Sequence, residues 1–380
     1  MPHAPPTHAD LAQALLDAVR AQPWHEARDR RTGGAPFSHP PSLDLAVAVF
    51  PPAGAPRWAN VLFSRERPAG WVAAIGDDAG AVSNVAYLVD PLDAHGVSAA
   101  WQPGADWSQL SFAPLAGHGP ARFVAPYPAS LVKLMVAVGA AQLVDRGAAD
   151  WDERWTHAGR GRALADWAEP MLTESSNLAT DAMVALLHAR GLIRRDDDGP
   201  GGREAHNDLH ALFASQHLGT LRLADTRATG GWRNADGAGV GHLQMTAWDT
   251  VRLLWRLQDV PAPWLAADAP PMLSTASRTR LMGWLWKQRQ NEVLSSGSQA
   301  HHAGWPAGIA GRFAHKTGTT ETYASDAGRV ELPGGGLFLI ALLTSLGRCA
   351  APHDGAATDA NVPRLGAAVE AWVKTHMAMT

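Results

Sequence analysis

Three short stretches carry residue types that can perform covalent chemistry together. The first is Ser130-Leu131-Val132-Lys133. If Ser130 opens a helix, Lys133 lies one turn further along the same face. An amine there takes the serine proton once burial or neighbouring positive charge lowers its pKa, and a helix N-terminus favours negative charge beside the serine. The second is Ser175-Ser176-Asn177, between two helical segments, where a hydroxyl can pass a proton and an amide can hold a substrate carbonyl. The third is Lys316-Thr317-Gly318, preceded by His315 and followed by Thr319. On a strand, Lys316 and Gly318 share one face and Thr317 takes the other. The glycine permits close backbone approach to a ligand, and the lysine supplies positive charge that depresses nearby pKa values and attracts a carboxylate. Each stretch alone has a plainer reading: a capping serine with a solvated lysine, a cap for the helix starting at Asn177, an edge-strand lysine.

The elements that must position these residues follow from periodicity. Residues 8–20 place Leu11, Leu15, Leu16 and Val19 at helical spacing. A Pro/Gly-rich loop follows over roughly 29–42, and from about 44 to 125 short apolar runs such as LAVAVF, WANVLF, GWVAAIG and SNVAYLVD read as strands. From Ala129 the pattern turns helical: SLVKLMVAVGAAQLVDRG predicts a mostly buried helix ending at Gly147, and residues 150–290 continue as helices. Irregular stretches interrupt them near 196–202 and 226–241. GRFAHKTG and GRVELPGGGLFLIALLT then read as strands, and VPRLGAAVEAWVKTH closes the chain as a helix. A chain that leaves a sheet, builds helices and returns predicts one sheet completed from both ends.

Taken together and in this order, the S-x-x-K, S-x-N and K-T-G motifs resemble those of the class A β-lactamase and penicillin-binding protein superfamily. Two of only four lysines (Lys133, Lys287, Lys316, Lys374) fall where those motifs require lysine. The resemblance implies an α/β (α+β) fold: an antiparallel sheet flanked by N- and C-terminal helices, with an inserted all-helical subdomain. It implies a domain over residues 81–378, with the helical part at about 129–300, the sheet completed at about 310–345 and a last helix at about 362–376. Residues 1–80 are then an N-terminal extension outside it. For the site it implies Ser130 as the acylated nucleophile, Lys133 as its proton acceptor, Ser175 as the proton relay to the leaving nitrogen and Asn177 as the positioning amide. Lys316 and Thr317 would hold a substrate carboxylate beside Gly318, and the N–H groups of Ser130 and Thr319 would form the oxyanion hole.

Some positions depart from the class A pattern. The loop expected to carry a water-activating glutamate, about 222–246, contains none; its carboxylates are Asp225 and Asp236, and Asp236 can pair with Arg227 or Arg233. Glu204 reads as solvated. Ser176 stands where class A enzymes carry aspartate, and the next arginine after Lys316 is Arg329. Besides a lactamase, the motifs therefore admit a D,D-peptidase-like amidase, an esterase, or a non-catalytic sensor on the same scaffold.

Composition bounds the remaining classes. The chain has 380 residues with 32 basic against 36 acidic, which argues against a nucleic-acid surface. No run is apolar enough to span a bilayer. A single cysteine, Cys349, excludes an intrachain disulfide framework. The N-terminal MPHAPP lacks a signal-peptide pattern, so the sequence as it stands reads as cytoplasmic, or periplasmic if its start is misassigned. His206 and His210 stand four apart without the glutamate of a metalloprotease motif and read as surface helix. The glycines of 237–241 lack a strand–turn–helix setting, and His301-His302 read as a loop pair. No metal or cofactor is expected. The partner expected is a small-molecule or peptide-like acyl substrate, and the oligomeric state is left open.

Overall fold

The computed structural model describes residues 6–93, 98–197, 202–232, 242–295, 307–350 and 361–377. Six strands form one antiparallel sheet: β1 (Leu43–Phe50), β2 (Arg57–Ser64), β3 (Arg67–Val72), β4 (Arg312–Thr319), β5 (Ala324–Glu331) and β6 (Leu337–Thr344), in the order β4-β5-β6-β1-β2-β3. The central pairing joins the two ends of the chain, with Ala341 opposite Ala46. Residues 43–72 therefore hydrogen-bond in the same sheet as the strand that carries Lys316. They are part of it, not an extension lying beyond a boundary at residue 80.

Strand alternation sorts the core into two layers. Leu43, Leu45, Val47, Phe338, Ile340 and Leu342 pack against α1 (His8–Arg20) and the last helix, through Leu11, Leu15, Leu365 and Val369. Thr7 caps α1: its Oγ1 accepts from Asp10 N at 3.2 Å, while its own N–H donates to Asp10 Oδ2 at 2.7 Å. The opposite face presents Ala46, Ala48, Leu339, Ala341 and Leu343 to the helical block.

That block contains α2 (Lys133–Asp145), α3 (Leu164–Thr173), α4 (Asn177–Ala189), α5 (Asp208–Ser215), α6 (Ala247–Arg256) and α7 (Thr275–Leu285), and Asn361–Met377 is α8. The sequence predicts that α2 is buried on most sides, and Lys133 through Leu143 are all buried. Small residues line it (Ala137, Gly139, Ala140, Ala141), which lets α3 and α4 approach closely. The tryptophans pack: Trp167, Trp248 and Trp255 are fully buried, and Trp255 meets Trp264 edge to face at 5.2 Å.

Candidate active site

Ser130 lies in a 3-10 turn, Ala129–Val132, that feeds directly into α2. Ala129 adopts the left-handed region with φ 51°, a conformation that costs a non-glycine residue about 1–2 kcal/mol and turns the chain sharply before the serine. Lys133, the first residue of α2, is carried into the interior and is fully buried. Its Nζ donates to Ser175 O at 2.6 Å, to Ser175 Oγ at 3.1 Å and to Asn177 Oδ1 at 2.8 Å. All three bonds run to the second motif, none to Ser130 Oγ.

The second motif divides its labour between its two serines. Ser176 is the helix cap, its Oγ accepting from Ala179 N at 3.2 Å at the start of α4. Serine is among the residues favoured for this duty. Ser175 sits outside the helix in the left-handed region with φ 58°, which aims its hydroxyl at the amines. From β4, Lys316 Nζ donates to the same Ser175 Oγ at 3.0 Å and to Thr317 O at 2.6 Å. Two amines distant in the chain thus converge on one hydroxyl.

Burial governs the electrostatics. Removal from water pushes Lys133 from the ordinary 10.5 down to about 7, opposed by the charge of Asp181. Lys316 is pushed well below the ordinary value, by burial first and by Lys133 second, while Asp326 and Glu292 oppose the shift. Asp326 is anchored behind the strand, accepting from His315 Nδ1 at 2.7 Å. Two ammonium groups on one hydroxyl repel each other, so the amines titrate as a pair and one of them readily gives up its proton near neutrality.

A cavity of about 540 Å³ opens in front of these groups, lined by Tyr127, Ser130, Asn177, Asp181, Trp232 and Thr319 among others. Lys133, Ser175 and Lys316 lie outside that lining, in contact with it through Asn177. Thr317 is buried on the opposite face of β4, across from Asp326, and does not line the cavity. Gly318 does not line it either, and its role differs from the expected approach to a ligand. A Cβ there would lie 2.6 Å from Pro128 O and 2.7 Å from Ser130 N, so the glycine lets β4 pack against the Ser130 turn.

Several other polar residues that stand out in the sequence make structural contacts. Asp225 pairs with His242 at 2.9 Å and Arg195 at 3.6 Å. Glu204, expected to be solvated, is half-buried and accepts from Asn207 Nδ2 at 3.1 Å, and burial raises its pKa. His206 and His210 do not share a helix face: His206 is on a short strand, and His210 in α5 accepts from Leu223 N at 3.1 Å. Among the described residues no cluster of metal-ligating side chains occurs. Arg329 is held by Gln258 and Glu331, while an arginine the motifs do not point to, Arg348, lines the cavity and donates to Thr319 Oγ1 at 3.1 Å. Asp236, Arg233, the glycines of 237–241 and His301-His302 lie outside the described residues. Asp181 and Arg348 give no signal in the sequence because neither sits in a recognisable motif; only folding brings them to Ser130.

Among solved structures the chain is similar to the TLA-3 extended-spectrum β-lactamase, at 12% identity over 96% of this chain and 99% of that one, with a TM-score of 0.50. It is also similar to PBP-A, at 16% identity over 98% of each chain with a TM-score of 0.48. A variant of the class A β-lactamase of the last common ancestor of Gram-negative bacteria matches at 17% identity over 97% of this chain and 99% of that one, with a TM-score of 0.49. No curated protein matches. Among the described residues no helix is long and apolar enough to cross a membrane. The profile of the β-lactamase enzyme family matches residues 124–371, a span that contains all three motifs. The chain belongs to that family.

Proposed function

We propose that the protein is a serine hydrolase that opens an amide or β-lactam through an ester on Ser130. The observation that carries this reading is the convergence of two buried amines on Ser175 Oγ, at 3.1 and 3.0 Å, in contact with the Asn177 that lines the cavity together with Ser130.

The chemistry follows from the types and positions of these groups. Substrate enters the cavity with its carbonyl carbon at Ser130 Oγ and its carbonyl oxygen toward the N–H groups of Ser130 and Thr319. Asn177 Nδ2 donates to the substrate carbonyl while its Oδ1 still accepts from Lys133, and loss of a proton leaves Lys133 two hydrogens for its three acceptors. The neutral amine turns one helical step to take the Ser130 proton, a contact that tightens only in the complex. The tetrahedral oxyanion collapses, and Lys133 passes its proton through Ser175 Oγ to the leaving nitrogen. Lys316 stabilises charge on the relay hydroxyl. A substrate carboxylate is held by Arg348 with Thr319, since Thr317 faces away from the cavity.

Intact-protein mass spectrometry after incubation with a labelled penicillin tests the reading, with the modified peptide mapped. The expected result is an adduct on Ser130, absent from S130A. Rapid turnover supports a lactamase and a persistent adduct a D,D-peptidase-like amidase. Reversible binding with no adduct from penicillins or activated esters identifies a sensor module, and an adduct retained in S130A displaces the nucleophile.

A further inference from the structure

An acyl-Ser130 ester still needs a group to activate water, and the loop at 222–246 holds no glutamate. We propose that Asp181, a residue of α4 outside the three motifs, is the general base that drives hydrolysis of this ester. The inference rests on the proposed acyl transfer at Ser130 and deepens it.

Position singles out Asp181. It follows Asn177 by four residues on α4, so the two share a helix face, and both line the cavity with Ser130. Of the two carboxylates in that lining, Glu321 is exposed while Asp181 is half-buried. Among the described residues, Asp225 is paired with His242 and Arg195, Asp326 with His315 and Glu174 with Arg289, while Glu292 lies near Lys316 and Arg348 but outside the cavity lining.

A glycine-bearing loop packs against Asp181. The segment from Thr226 to Trp232 folds back over Asp181, closed by a hydrogen bond from Arg227 N to Gly231 O at 2.9 Å. A Cβ on Gly230 would lie 2.5 Å from Asp181 O, and one on Gly231 would lie 3.1 Å from Asp181 Oδ1. Both glycines have positive φ, 99° and 72°. Two consecutive glycines thus let the loop backbone pack closely on the aspartate, which still lines the cavity. The charged and titratable groups acting on it are Lys133 from α2 and His157 from the hairpin of residues 154–163, and Arg227, Arg348 and Glu321 share its cavity. Burial raises its pKa, opposed by the charges of His157 and Lys133.

The step balances with one water consumed. A water O–H bond breaks as its proton passes to the Asp181 carboxylate, and the oxygen bonds to the acyl carbonyl carbon. Collapse breaks the bond to Ser130 Oγ. The proton held by Asp181 returns to that oxygen by way of the Lys133 amine, releasing the acid product and the resting enzyme.

The test separates the two half-reactions in the full chain, with a fluorescent penicillin as acyl donor and an activated aryl ester as a second donor. For D181N and D181A, acylation should not slow, because losing the Asp181 charge lets Lys133 give up its proton more readily. The adduct lifetime should lengthen by about 10²-fold or more, the usual worth of a general base. D181E should restore part of the lost rate, and added formate should shorten the D181A adduct lifetime. In the parent protein, deacylation should rise with pH through an acidic limb that D181N lacks. Unchanged adduct lifetimes in both variants overturn the inference while leaving acyl transfer standing. Equal losses in acylation and deacylation overturn it too, because Asp181 would then act through Lys133. If the parent protein forms no adduct with either donor, the proposed function fails and this inference fails with it.

Discussion

Replacing Gly318 with alanine adds one methyl carbon where β4 meets the Ser130 turn. Its Cβ would lie 2.6 Å from Pro128 O, 2.6 Å from Ser325 Oγ and 2.7 Å from Ser130 N, whereas ordinary contact begins near 3.4 Å. Strand and turn must therefore separate by about 0.8 Å. Two of the three atoms are backbone, so no rotamer change removes the conflict. Overpacking of this kind costs about 1–3 kcal/mol, and a displacement near 1 Å of a reacting group costs on the order of 10²-fold in rate. We expect G318A to unfold a few degrees below the parent protein (~1–2 °C per kcal/mol for a chain of this length) and to acylate about 10²-fold more slowly with a labelled penicillin. Adding S325A should recover only a minor part, since Ser325 contributes one of the three conflicts and its hydroxyl also ties down Pro128 O at 2.6 Å. A G318A protein with parental stability and acylation within about threefold of the parent would refute the claim that this glycine sets the spacing.

Two further predictions concern charge. Because the folded protein holds Lys133 at about 7, its neutral fraction grows as pH rises, so acylation should fall roughly tenfold per pH unit below an apparent pKa near that value and level off above it; K133R, which cannot deprotonate, should abolish acylation across the whole range, and a pH-independent rate would exclude an amine base. Arg348 donates to Thr319 at the cavity mouth, so R348A should raise KM for acyl donors bearing a carboxylate by about tenfold, the loss of one charge-assisted contact, leaving kcat and the KM of carboxylate-free esters nearly unchanged; equal effects on both donors would place the anion elsewhere.

The legible part of the molecule is the part encoded locally. Alternation along LAVAVF and LFLIALLT marks both as strands, but nothing within either segment shows that Ala46 lies opposite Ala341. Strand pairing across such a separation depends on the whole chain folding back, so a break near residue 80 looks natural in the sequence although residues 43–72 belong to the same sheet. Glycine at 318 is visible, but its reason is not: the atoms that would clash with a side chain come from Pro128, Ser130 and Ser325. The pair at Ser175 and Ser176 shows the same limit, since only the start of α4 decides which hydroxyl caps a helix and which faces two amines.

Residue types, their periodicity and the order of three motifs came from the linear chain alone, because backbone sterics and turn-length hydrogen bonds act over a few residues. Tertiary structure alone decided that Lys133 and Lys316 meet at one oxygen and that Arg348 and Asp181 share a cavity with Ser130. It also decided that a buried ammonium loses its proton near pH 7. Those properties depend on desolvation and on distances through space, and both exist only once remote segments have packed together.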